Sequence, residues 1–244
     1  MFPMAFPPSS TPMQIIMCNR KTMRDVFYLA GAVLMATASA GLSAPTTTLP
    51  FDGVAPGYTF VEPITIHATN NLAGFQCDVL FDASRLSCTN VPMLVSGPAG
   101  VVVDGALMGP GRYRLLAYQP SGVALTNDVV CNVGFSAITN AASGQVPLGA
   151  GTVHFGDSNA VTITTGKVNP GLILVGSAFG FMPGGGRAQF LGTSGSNYVI
   201  SASTNLTSWT TISTNTATNS LAWTLDQDAL VVPHRFYLST LASP

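Results

Sequence analysis

The sequence predicts an all-β chain: a jelly-roll-like antiparallel β-sandwich followed by a small C-terminal β domain. Three observations carry this. From Leu49 onward, apolar and polar residues alternate with a period of two in short runs and show no sustained 3.6-residue periodicity. The alternating runs are short and separated by Gly/Pro/Asn clusters such as Ser96-Gly-Pro-Ala-Gly100 and Gly109-Pro-Gly111. Of 244 residues, 47% are apolar, only 8% are charged and 25 are Gly, which excludes a charge-rich disordered chain and a Glu/Lys-rich coiled coil.

In chain order, Arg20, Lys21 and Arg24 form a basic cluster before an apolar run at 26–38, followed by A-x-A sites at 36–38 and 38–40. This is the layout of an export signal over residues 1–40, with cleavage after Ala40. The run is short for a membrane span, which needs roughly 20 residues. The chain therefore meets a membrane only if the signal stays uncut, and the mature protein is expected to be secreted or at the cell surface. Three of the nine basic residues and one of the ten acidic ones lie in the leader, so the mature chain carries six and nine, a balance of -3. That gives no electrostatic footprint for nucleic acid.

Residues 45–176 read as the sandwich. At 59–67, Ile64 and Ile66 share one face; from Phe75 on, Cys77, Val79 and Phe81 share one side, with Gln76 and Asp78 on the other. Further strands are expected at 112–118, 128–135 and 160–164. Residues 177–186 contain Pro183 and three consecutive glycines and read as a flexible linker. The last 58 residues, 187–244, predict strands at 187–191, 198–203, 209–213, 220–225 and 234–240.

The stretch from Gly74 to Leu86 resembles the opening of a cohesin domain, with a cysteine-bearing strand leading into an aromatic–Asp turn, Phe81-Asp82. Asn90–Gly97, Tyr113–Tyr118, Gly122–Phe135 with Ala142-Ser-Gly144, and Gly166–Val175 fit later segments of that family, so the resemblance covers roughly 55–176. The family's usual Asp-Pro pair is Asp82-Ala83 here. The tail is similar to a short C-terminal module of large secreted proteins from Verrucomicrobia-type bacteria, through Gly192, Gly195, Tyr198, the run Ala202-Ser-Thr-Asn-Leu206, Trp209 and Arg235-Phe-Tyr237. A cohesin-like domain implies a nine-stranded sandwich that recognises a dockerin-type protein through one sheet face; related modules bind polysaccharide. The resemblance implies no cofactor and no enzymatic activity.

The residues agree with a non-catalytic reading. His67, His154 and His234 lack metal-ligand spacing, and there is neither a G-x-S-x-G elbow nor a phosphate loop. His154 reads as a partly buried strand residue, and Asp226 and Asp228 as turn-capping residues. Asp157-Ser-Asn159 is too short a motif for calcium. Of Cys77, Cys88 and Cys131, at most one internal pair can form. Cys77–Cys88 would close a short loop, whereas Cys88–Cys131 would tie two strands and remove more chain entropy from the unfolded state. The second is favoured, with Cys77 a buried small apolar residue at its cohesin-like position. Trp223 and Tyr237 are the candidate ligand-stacking rings: Tyr198, Trp209 and Phe236 read as module core, and Tyr237 alternates with Phe236. The competing readings are a structural surface or matrix protein without a discrete ligand, and a small glycoside hydrolase, which would need two carboxylates converging in one pocket.

Overall fold

The computed structural model describes residues 14–19, 44–68, 71–88, 92–125 and 127–242. Strand β1 (Gln14–Asn19) precedes the sandwich strands β2 (Thr46–Thr48), β3 (Phe51–Val54), β4 (Thr59–His67), β5 (Leu72–Leu80), β6 (Leu86–Cys88) and β7 (Met93–Ser96). The sandwich continues with β8 (Val102–Gly109), β9 (Arg112–Tyr118), β10 (Val129–Ala137), β11 (Gly144–Asp157), β12 (Lys167–Asn169) and β13 (Gly171–Val175). The C-terminal module holds β14 (Ala178–Met182), β15 (Gly185–Leu191), β16 (Asn197–Ser203), β17 (Thr210–Thr216), β18 (Leu221–Asp226) and β19 (His234–Leu241), with one 3-10 turn at Asp228–Leu230.

The sandwich is two facing sheets. One runs β12-β2-β4-β10-β6, with β7 also on β10, and the other β3-β13-β11-β5-β9-β8. Pairing is antiparallel except for β12 on β2 and β13 on β3. Those two parallel pairs have one origin. The chain crosses from sheet to sheet at Leu49-Pro50 and again at Pro170, side by side, and prolines suit a place where a ladder must break. Leu49 N–H donates to the Asn169 carbonyl at 3.1 Å and Leu172 N–H to the Pro50 carbonyl at 2.9 Å. The approach is so close that a Cβ on Gly171 would lie 2.2 Å from the Pro50 oxygen.

The alternation read from sequence sets which side chains turn inward. On β10, Val129, Cys131, Val133 and Phe135 are buried, with Val130 and Asn132 between them and Ser136 beyond them half-buried. Ile64 and Ile66 of β4 and Cys77, Val79 and Leu115 of the facing sheet complete the interior. Each fully buried aliphatic or aromatic side chain contributes about 1.5–3 kcal/mol. Strand β13 is different, because all five of its residues are buried. Its outer side is covered by the module, where Leu172 and Leu174 pack with Ala178 and Met182, and by Phe51 of the neighbouring β3.

The module is a small sandwich of its own, with sheets β14-β15-β18 and β1-β19-β16-β17 closing on Phe179, Phe190, Ile200 and Tyr237. Here the expected linker is corrected. Residues 178–191 form a hairpin with Met182 opposite Gly185, and the turn is Pro183-Gly184 with Gly184 at φ +93°, the Pro-Gly pattern of a type II turn. The glycines serve packing rather than flexibility. A Cβ on Gly186 would meet the Phe179 ring at 2.5 Å and Ala229 at 2.7 Å. Of the leader, residues 14–19 are described, as β1 against β19; the apolar run at 26–38 and both A-x-A sites lie outside the described residues.

Candidate functional site

Because the module covers β13, with Phe51 of the neighbouring β3 in the same cluster, what stays open among the described residues is the outer face of the remaining four strands of that sheet, β11, β5, β9 and β8. Directly paired residues of an antiparallel ladder point to the same side, so the registers give the face row by row. Val102, Tyr118 and Gly74 form one row; Asp104, Leu116, Gln76 and His154 a second; Ala106, Arg114 and Asp78 a third; Arg112, Leu80 and Gly149 a fourth. Tyr118 and Val102 are exposed, Leu116 is half-buried, and the glycines keep the surface low. The face is mixed, with the apolar row of Val102 and Tyr118 at one end and the Asp78, Arg112 and Arg114 charges towards the other.

Asp78 sits at the charged end, and its side chain is 0% exposed although it lies on the outer face. Two guanidiniums roof it. Arg114 Nε donates to Oδ1 at 2.7 Å and Arg114 Nη2 to Oδ2 at 3.1 Å, while Arg112 donates to Oδ2 through Nε at 2.8 Å and through Nη2. The Arg114 hydrogen bond first, then that of Arg112, outweighs burial and holds the Asp78 carboxyl below the usual carboxylate value. Planar forks on one carboxylate fix both arginines in place. The result is a preorganised patch with donor capacity at its rim.

Sequence reasoning missed this triad. The signal was Arg-x-Arg on one strand and an outward Asp on another, but only the β5–β9 register brings them together. His154 is also corrected: it is exposed on this face, not partly buried, because its β11 position pairs with outward Gln76.

The residues expected from sequence to form sites do not gather in one place. Trp223 is 42% exposed on β18, and the Arg187 guanidinium lies 4.5 Å from its ring centroid. Trp223 lines two hollows of about 180 and 240 Å³. Tyr237 is fully buried, stacks on Phe179 at 5.2 Å and donates its hydroxyl to Asp226 at 3.0 Å, so it offers no ring to a ligand. The alternation holds but its phase is reversed, with Tyr237 inward and Phe236 half-buried. The Cys88–Cys131 bridge is not made. Both are buried thiols, Cys88 donating to the Gly134 carbonyl at 3.2 Å and Cys131 to the Ile64 carbonyl at 3.7 Å. The register explains this: Cys88 lies opposite Phe135, four residues along β10 from Cys131, roughly 13 Å at strand rise and beyond the reach of a disulfide. Cys77 is buried as expected, and desolvation pushes its thiol up to about 12.

A second polar cluster closes the seam between sandwich and module. Arg187 Nη1 donates to Asp52 Oδ1 at 2.6 Å, and the Glu62 carboxyl, on β4, hydrogen-bonds Asp52. Burial first, then the Asp52 hydrogen bond and charge, pushes Glu62 up to about 8, while Asp52 is held low. From the ordinary 4.5 to about 8, folded Glu62 keeps a proton that the unfolded chain has lost, so stability falls as pH rises through that window. Asp52 acts in the opposite sense only below its ordinary 3.8. Each tenfold difference in proton affinity between folded and unfolded chains is worth about 1.4 kcal/mol. The unfolding free energy in urea is therefore expected to drop by a few kcal/mol between roughly pH 5 and pH 9, less whatever water at the seam screens. Glu62→Gln is expected to flatten that slope; an unchanged slope would show that Glu62 does not carry it. The pair is hydrogen-bonded, too close for the carboxylate spacing of roughly 5–9.5 Å in glycoside hydrolysis.

Of the two aspartates expected to cap a turn, Asp226 does so, accepting from the Asp228 N–H at 3.0 Å, while the Asp228 carboxylate instead meets Arg235 at 3.4 Å; Asp157 accepts from the Asn159 and Val161 N–H groups. Among the described residues no three His, Cys, Asp or Glu side chains gather as a metal set.

The sequence matches no described family and no curated protein. Among solved structures, the chain is similar to the sixth cohesin of scaffoldin B from Acetivibrio cellulolyticus, solved with a dockerin, at 21% identity and a TM-score of 0.47, covering 55% of this chain and 99% of that one. A type I cohesin from Pseudobacteroides cellulosolvens is similar at 16% identity and a TM-score of 0.45, over 54% and 92% of the two chains. A non-cellulosomal cohesin from the archaeon Archaeoglobus fulgidus is similar at 11% identity and a TM-score of 0.45, over 55% and 91%.

Proposed function

We propose that this is an exported, non-catalytic binding protein that recognises a dockerin-type protein partner through the outer face of β11-β5-β9-β8. The observation that carries the reading is the face itself: uncovered among the described residues, apolar at Leu116, Tyr118 and Val102, and anchored towards one end by Asp78 under two arginines. A surface of this kind suits a folded partner better than a glycan chain, since Tyr118 is the one exposed aromatic ring among its described residues and sugar recognition leans on planar stacking. The cohesin-like residues of the sandwich sequence point the same way.

The test is calorimetry of the chain against a panel of dockerin domains, with Leu116→Asp and Tyr118→Ala as paired variants. Each variant is expected to weaken the bound dockerin roughly 100-fold or more while leaving the unfolding free energy within roughly 0.5 kcal/mol of wild type, as substitutions at the surface do. Retained affinity in both would remove this face from the account. A polysaccharide reading rests on a separate observation, the exposed Trp223 ring, which lines two hollows; retention on insoluble glycan, lost in Trp223→Ala, would favour it instead.

A further inference from the structure

The six residues Gln14–Asn19 pair in full register with β19, from Gln14 opposite Ser239 to Asn19 opposite His234. They fill an edge position, since the other side of β19 is taken by β16. The contact is specific as well as ladder-like. Ile16 packs against the module core, the Gln14 amide donates to the Leu191 carbonyl at 3.4 Å, and its carbonyl accepts from the Ser177 hydroxyl. Without this strand, β19 would present eight residues of open ladder containing neither Lys nor Pro, the usual guards of an edge. Its arginine, Arg235, is committed to Asp226 and Asp228.

Residues 14–19 also lie on the leader side of the Ala40 site, so export and this pairing exclude each other. A strand on the near side of a cleaved signal does not travel with the mature chain. We propose that the outer edge of β19 is a strand-acceptor site. The leader fills it before export, and processing vacates it for an extended segment of a second polypeptide with the Gln-x-Ile pattern that the leader presents. This goes beyond the sheet-face reading and rests only on its export element. Backbone pairing would supply affinity and the Ile16 and Gln14 positions the selectivity.

The experiment uses the full chain, wild type and Ile16→Asp, with a fluorescent peptide of residues 13–20 as probe. Wild type is expected to refuse the peptide, its site being filled. Ile16→Asp is expected to exchange the β19 amides that face β1 at least tenfold faster, to bind the peptide, and to regain protection when it does. A peptide carrying the same Asp is expected to bind at least tenfold more weakly. Equal exchange in the two chains, or equal binding of both peptides, would overturn the proposal. Should Ile16→Asp unfold the module, the naturally processed secreted form takes its place: peptide binding there supports the site, and none overturns it. N-terminal sequencing of that form reports on export alone, so failure of the export reading is distinguishable from failure of the acceptor site.

Discussion

Asp226→Ala is expected to cost the C-terminal module about 3–5 kcal/mol, the range for removing one partner from a buried ion pair. Asp226 is 6% exposed and gathers three donors: Arg235 Nε at 2.8 Å, the Tyr237 hydroxyl at 3.0 Å and the Asp228 N–H at 3.0 Å. Removing the carboxylate leaves a guanidinium whose side chain is only 12% exposed, with Asp228 at 3.4 Å as its remaining anionic contact. It also removes an acceptor at 3.0 Å from the hydroxyl of the fully buried Tyr237. A core of this size supplies only about 3–5 kcal/mol in total, so the variant module is expected to be unfolded or nearly so. Near-ultraviolet dichroism and proteolysis of the 192–196 turn measure this; a module that stays folded, losing no more than about 1 kcal/mol as after an ordinary substitution, would contradict it. Asp226→Asn keeps the shape and part of the acceptor capacity and is expected to lose less. Because β14 covers Leu172 and Leu174, a melted module would also bare the outer side of β13.

Asp78→Ala is expected to cost about 2 kcal/mol of stability and to abolish partner binding. The stability figure is below that of a fully enclosed pair because the Arg112 and Arg114 side chains are 44% and 26% exposed, so water recovers part of the lost interaction. The binding loss is larger because the carboxylate holds both arginines in one geometry. Freed, each regains rotamer freedom that the partner would have to quench. Since the folded Asp78 carboxyl is held below its ordinary 3.8, its contribution is present above that pH and disappears as pH falls through the lower folded value. Urea unfolding and calorimetry of the variant measure the two losses separately; loss of stability with affinity intact would make Asp78 purely structural.

How much of this was legible in the sequence depends on the range of the interaction. Most of the strands were legible because period-two alternation is local: Val129, Cys131, Val133 and Phe135 could turn inward together whatever they later met, whereas the strand expected at 160–164 is only an isolated bridge from Thr162 to Gly156. What depends on register was not. The Cys88–Cys131 pairing failed because strand content does not say that Cys88 faces Phe135. The Asp78 triad went unseen for the same reason. Tyr237 shows a subtler limit, since two adjacent aromatics compete to turn inward. The tyrosine wins where Asp226 waits to accept its hydroxyl, which hydropathy alone cannot register. In Gly184–Gly186 the same residue type signals freedom or close packing, and only the Phe179 ring above Gly186 decides.

Hydrogen-exchange footprinting of the chain with and without a bound dockerin tests the sheet-face account most directly. Protection gained along β8 and β9, concentrated between Val102 and Asp104 and between Arg114 and Tyr118, is the predicted result. A footprint centred on β4 and β10 of the opposite sheet, or on β18 around Trp223, would contradict it.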